Sequence, residues 1–319
     1  MGTVHQLLLD LGKEGALKSG ADRTVVEAAA AYLACEDTDI GFLYSGWAQA
    51  ALPHKRLKDD ELWQVKNDRV TLVVQPGVRV VENGPPVHVG VPYGSRARLI
   101  LLYLQSEALR TSSREIELGR SLHAWLRRLS IPIGGKSMRD VRDQAERVSR
   151  CRMSFQIMQD GRAGLINQSI LDTAMFVDDG QKQRGSLFIE TATLSQMFFD
   201  QLKKHPVPIE ESAVRQLANN SMALDVYCWL AYRLHALNGQ TLVSWRALFA
   251  QFGSGYSRLD LFRRRFREIL HLATAVYPDA QVEETERGLM LHPSHPPVAG
   301  KGARLTLVAS RSLPKATSA

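Results

Sequence analysis

The sequence predicts an α+β protein made of two tandem winged-helix units, each a helix-turn-helix with a β-hairpin, behind a helical N-terminal extension. Three observations predict it. One order of elements (helix, short strand, helix, turn, helix, hairpin) reads twice along the chain. The copies keep a constant offset: Leu122 and Leu248 are 126 residues apart, as are Leu126 and Phe252. Charge is concentrated at the third helix of each copy, where such a unit meets DNA.

In order, residues 1–50 read as helical, with Arg23–Leu33 the clearest piece. Leu52–Asp60 is a charged loop. Leu62–Val81 alternates apolar and polar residues and reads as a hairpin turning at Pro76-Gly77, with a further turn at Asn83-Gly84-Pro85-Pro86. The first copy opens with a helix over Ser95–Arg110 and a short strand at Arg114–Gly119. In its second helix, Leu122, Trp125, Leu126 and Leu129 fall at i, i+3, i+4 and i+7. A turn leads to a third helix, Ser137–Cys151, which Ser137 is expected to N-cap. Met153–Gln159 and Gly164–Val177 read as the attached hairpin, turning at Asp160–Ala163.

Lys203–Pro208 reads as a proline-stiffened link. The second copy follows: a helix over Ser221–Leu237, a strand at Gln240–Val243, a short helix capped by Ser244 and a turn at Gly253–Tyr256. A third helix, capped by Ser257, buries Leu259, Phe262, Phe266, Ile269 and Leu270. Ala280–Glu284 and Gly288–Leu291 form its hairpin. The expected units are an extension at 1–50, winged-helix domains at 51–204 and 205–297, and a disordered tail at 298–319, rich in Pro, Gly, Ser, Lys and Arg.

Hydrophobic content of 45% among 319 residues supports sizeable cores. The net charge of +7 favours a polyanionic partner. Between Gly94 and Arg152, thirteen Lys+Arg stand against six acids, which leaves +7, the excess of the whole chain. Three scattered cysteines form no disulfide framework, and no signal peptide or membrane span is read, so a cytoplasmic protein is expected.

Gly135-Lys136-Ser137 ends like a phosphate-binding loop. That motif needs a glycine five residues earlier and a preceding strand. Here Ser130 holds the place and a helix precedes, so the triplet reads as a helix-turn-helix turn. The histidines form no metal set, neither H-x-H nor G-x-S-x-G is present, and no enzyme activity, cofactor or metal is expected. The expected DNA contacts on the first copy are Lys136, Ser137, Arg139, Arg142 and Arg150, with Arg162 on its hairpin. On the second they are Ser257, Arg258, Arg263, Arg264, Arg265 and Arg267, with Arg263 and Arg267 flanking the apolar face and suited to phosphate.

Gly90-Val-Pro-Tyr-Gly-Ser-Arg-Ala-Arg-Leu-Ile-Leu-Leu-Tyr-Leu-Gln105 and Asn220-Ser-Met-Ala-Leu-Asp-Val-Tyr-Cys-Trp-Leu-Ala-Tyr-Arg-Leu234, with Gly134-Gly-Lys-Ser137 and His205-Pro-Val-Pro208, resemble RepA-type plasmid replication initiators over about residues 50–297. The resemblance implies two winged-helix domains that bind repeated double-stranded sites (iterons) at a plasmid origin and help to open the duplex. It further implies recruitment of a host initiator and the replicative helicase, and a switch between monomer and homodimer. The residues themselves leave two rivals: a repressor on a palindromic operator, and an enzyme, either a nucleotide hydrolase using Lys136 or a DNA nickase.

Overall fold

The computed structural model describes residues 3–36, 39–67, 70–128, 131, 134–159, 162–178 and 187–298, and its architecture is mixed α/β. The expected tail from residue 299 lies outside the described residues. Two N-terminal helices, α1 (Thr3–Lys18) and α2 (Arg23–Leu33), pack as a pair. Asp22 caps α2 by accepting from the Val25 amide at 3.0 Å. The helix expected to continue gives way to a strand, β1 (Ile40–Tyr44), and a short α3 (Ser45–Gln49).

The first hairpin forms, but one turn earlier than expected. β2 (Trp63–Lys66) pairs with β3 (Val70–Gln75), so the chain reverses between Lys66 and Thr71 rather than at Pro76-Gly77. Pro76 has no N–H to extend the ladder. Gly77 passes so near Arg150 that a Cβ would lie 2.3 Å from its carbonyl oxygen. The chain therefore leaves for a separate ribbon, β4 (Gly77–Arg79) with β5 (Val87–Gly90), across the Asn83–Pro86 turn.

The first repeat follows as α4 (Gly94–Thr111), β6 (Glu115–Glu117), α5 (Gly119–Arg128) and α6 (Gly135–Arg150). Its hairpin differs from expectation. Gly164–Val177 is two strands, broken at buried Ile170. β7 (Arg152–Gln159) and β8 (Arg162–Ser169) pair with each other, and β7 joins β3, where Phe155 faces Leu72 and Met153 faces Val74. All four side chains are buried, so apolar cross-strand pairing holds this hairpin in the four-stranded sheet β2-β3-β7-β8. The hairpin that returns to β6 is instead β9 (Leu171–Asp178) with β10 (Leu187–Leu194), in the order β6-β10-β9.

After α7 (Gln196–Lys204), the expected link is a strand. β11 (Pro206–Glu210) pairs with β1, Pro206 opposite Tyr44 and Pro208 opposite Phe42. A two-stranded ribbon tolerates prolines because each strand has a free edge. Next come α8 (Glu211–Leu217) and the second repeat: α9 (Ser221–Arg233), β12 (Thr241–Ser244), α10 (Trp245–Phe252), α11 (Leu259–Ala275), β13 (Val282–Thr285) and β14 (Gly288–Leu291). Its sheet has the order β12-β14-β13, the order of the first repeat. Ser244 caps α10 as expected, accepting from the Ala247 amide at 3.2 Å.

The repeats meet where α4 packs on α9. The Arg98 guanidinium donates to both Asp225 oxygens at 2.6 Å and to the carbonyls of Leu52 and Gly94. Only 10% and 11% of the two side chains remain exposed, so solvent barely screens the pair. His54 lies 3.0 Å from the Ser221 hydroxyl beside it. Burial, then the Arg98 charge, hold His54 well below its ordinary 6.5, so it is neutral in the folded chain.

Removing one partner of such a buried pair leaves the other charge uncompensated. Asp225→Ala is therefore expected to cost about 3–5 kcal/mol in urea unfolding. Arg98→Met with Asp225→Leu is expected to recover most of that loss. The unfolded chain protonates His54 as pH falls through its ordinary value, while the folded chain does not. Stability is therefore full above about pH 6.5 and is lost on acidification, by at most about 1.4 kcal/mol per pH unit. In His54→Gln the slope of unfolding free energy against pH between 6.5 and 5 is expected to be shallower; an unchanged slope contradicts the assignment.

Candidate nucleic-acid interface

Helix α11 buries Phe262 and Phe266 completely, each contributing about 1.5–3 kcal/mol, which fixes which side faces outward. Leu259, expected in that face, is 39% exposed. The helix begins at Leu259 with Arg258 at the N-cap position, so Ser257 is not its cap and lies exposed in the preceding turn. The helix therefore starts one residue later than a serine cap at 257 required.

The five arginines divide by what they touch. Arg263 stacks 5.0 Å above the Trp245 ring and donates to the Glu286 carbonyl at 3.4 Å. Arg267 lies 5.7 Å from the same ring and pairs with Glu284. Trp245 donates from Nε1 to the Thr285 carbonyl at 3.3 Å. These three side chains fasten the β13–β14 hairpin to α11. Arg258 pairs with Asp260 at 2.7 Å and Arg265 with Glu268, all four exposed. The Arg258 hydrogen bond draws the Asp260 carboxyl below its usual range. Arg264 is exposed and makes no ion pair among the described residues.

On α6 the expected contacts separate further. The helix starts at Gly135, with Gly134 (φ 138°) and Gly135 (φ 48°) forming the turn. Ser137 therefore lies inside the first turn and does not cap it. Two glycines with positive φ let the chain enter the helix earlier than a serine cap required. Lys136 and Arg139 are exposed, and Arg142 is half-buried near His123. Burial, then Arg142 and Arg127, lower the His123 pKa. Arg150 is held inward: it donates to Glu146 and to the Val78 carbonyl, each at 3.1 Å, while Glu146 also binds Arg79 at 2.7 Å. Arg162 opens β8, not the hairpin paired with β6, and its side chain lies outside the described residues.

Arg147, counted within the basic segment, is 3% exposed. It pairs with Asp143 at 2.9 Å and Asp59 at 3.2 Å and stacks on Tyr93 at 5.3 Å. Gly90 (φ 77°) makes room for it, since a Cβ there would lie 2.0 Å from the guanidinium. Arg98 and Arg147 show why the excess near α6 overstates the exposed charge. Nothing in the spacing distinguished them, because their partners Asp225 and Asp59 are distant in sequence. No group of three or more potential metal ligands occurs among the described residues, and no described helix is long and apolar enough to cross a membrane.

Arg150→Ala is expected to lower stability by about 1–3 kcal/mol in thermal unfolding, through its charged hydrogen bonds. Arg264→Ala is expected to leave the melting temperature within error; a comparable loss would mean that Arg264 serves the fold.

Residues 91–246 match the family described as "Plasmid encoded RepA protein", so the resemblance read from the sequence is borne out over that span. No curated protein sequence matches the chain. Among solved structures, selenomethionine derivatives of domains 2 and 3 of RctB align over 81% of this chain and 99% of that one, at 10% identity and a TM-score of 0.49. A second structure of RctB domains 2–3 aligns over 76% and 92%, at 8% identity and a TM-score of 0.42.

Proposed function

We propose, from the match of residues 91–246 to the plasmid-encoded RepA proteins, that this chain is a plasmid replication initiator that binds double-stranded repeats at its origin. It acts as a DNA-binding protein without catalytic activity. Two winged-helix units, at 51–204 and 205–297, would carry the binding, with α6 and α11 as reading helices about one helical turn of DNA apart. The observation that carries this reading is the repeated arrangement: strand, two helices and a returning hairpin, in the orders β6-β10-β9 and β12-β14-β13.

The contact residues divide as their surroundings suggest. Arg264, with Arg258 and Arg265 released from their acids, is suited to base edges; a bidentate guanine contact contributes about 1–3 kcal/mol. Lys136, Arg139 and Arg142 are suited to phosphates near the start of α6, with Ser137 in the same turn. Arg263 and Arg267 orient the hairpin and reach phosphate from the flank. The β9–β10 and β13–β14 hairpins take the place of wings. A host initiator, the replicative helicase and a second copy of the chain are the partners this role calls for.

A mobility-shift titration on the plasmid's own non-coding repeats, against scrambled DNA at two salt concentrations, tests the reading. Complexes that add one step per repeat are expected, with Arg264→Ala weakening them about tenfold or more. Equal, steeply salt-dependent binding to both DNAs would mean phosphate contact alone. Binding confined to a palindrome would point to a repressor.

A further inference from the structure

We propose that Leu261 is a base-reading residue whose side chain takes the C5 methyl group of a thymine in the major groove, beside Arg264 and Arg265. The inference rests on α11 being a DNA-reading helix, as proposed above.

Helix α11 turns Phe262, Phe266, Ile269 and Leu270 into the core. Steps of three, four and seven residues from Leu261 reach Arg264, Arg265 and Glu268, so these four share one stripe on the outer side. All four are exposed, Leu261 by 39%. Leu259 is equally exposed, but three and seven residues on from it stand Phe262 and Phe266, so it borders the buried side. Leu261 lies outside the apolar core and the residues packed against it. Beside Arg264, Arg265 and Glu268 it stands outside the apolar core of the described residues, with an unfavourable exposure to water.

Major-groove chemistry supplies the partner. Guanine offers two acceptors that an Arg fork can grip, and thymine offers a methyl group that only an apolar side chain can cover. A stripe of Leu261, Arg264 and Arg265 therefore matches a site in which a thymine neighbours a guanine. The arginines are long and reach the base edges from the next turn, while the shorter leucine sits at the stripe's N-terminal end, where a reading helix comes closest to the bases. Burial of one methyl-sized group contributes about fourfold in affinity.

The test uses the full chain and a series of origin repeats in which each thymine in turn is replaced by uracil, which lacks only the methyl group. Binding is read by fluorescence anisotropy. Wild-type protein is expected to lose about fourfold at one thymine of the repeat. Leu261→Ala is expected to bind the thymine and uracil forms of that repeat equally, with an unchanged melting temperature. Wild-type binding that is indifferent to every uracil overturns the proposal, as does a Leu261→Ala variant that keeps the whole uracil penalty. Failure of wild-type protein to prefer the repeats over scrambled DNA would instead remove the reading of α11 itself.

Discussion

The contact between Arg98 and Asp225 holds the two halves of this chain in one register. Both residues lie on the opening helix of their repeat, α4 and α9, and their charges are almost wholly withdrawn from water. A pair so buried costs desolvation on both sides and is favourable only with matched geometry and satisfied hydrogen bonds. Here the guanidinium fork meets both carboxylate oxygens, and its other protons reach the carbonyls of Gly94, at the start of α4, and of Leu52, in the loop after α3. The arrangement tolerates little sliding. A shift of α9 along α4 would strand a buried charge, so the pair specifies one relative placement of the repeats and, through them, of α6 and α11.

The same economy governs the rest of the cationic surface. Arg147 is sunk between Asp59, Asp143 and Tyr93, and Arg150 ties α6 to the β4–β5 ribbon through Glu146 and the Val78 carbonyl. Each of these ions stabilises local packing and is unavailable to a ligand. What remains outward on α6 is its first two turns, whereas α11 keeps an outer stripe along its N-terminal half. The two helices thus present different amounts of charge despite similar sequence content.

Much of the fold was legible in the sequence because local signals and tertiary packing agree. The heptad-like spacing on α4, α9 and α11 marked their buried faces, Ser244 marked the start of α10, and glycine-containing turns marked the approach to α6 and α11. The errors fall where non-local pairing decides. Strand β7 carries the same alternation whether it pairs with β6 or β3, and only the fit of Met153 and Phe155 against Val74 and Leu72 selects β3. Strand β11 contains two prolines and reads as a link until β1 is laid beside it. Charge totals likewise could not separate Arg147 from Arg139, because the acids that bury the first are up to 88 residues away.

Hydrogen exchange on the full chain, with and without a duplex carrying one origin repeat, tests the central claim most directly. The account predicts that backbone amides from Tyr256 to Glu268 and from Gly134 to Arg142 slow on binding, while those around Arg147–Arg150 and across the α4–α9 contact keep their rates. Protection centred on the β4–β5 ribbon or on α1, with α11 unchanged, would contradict it.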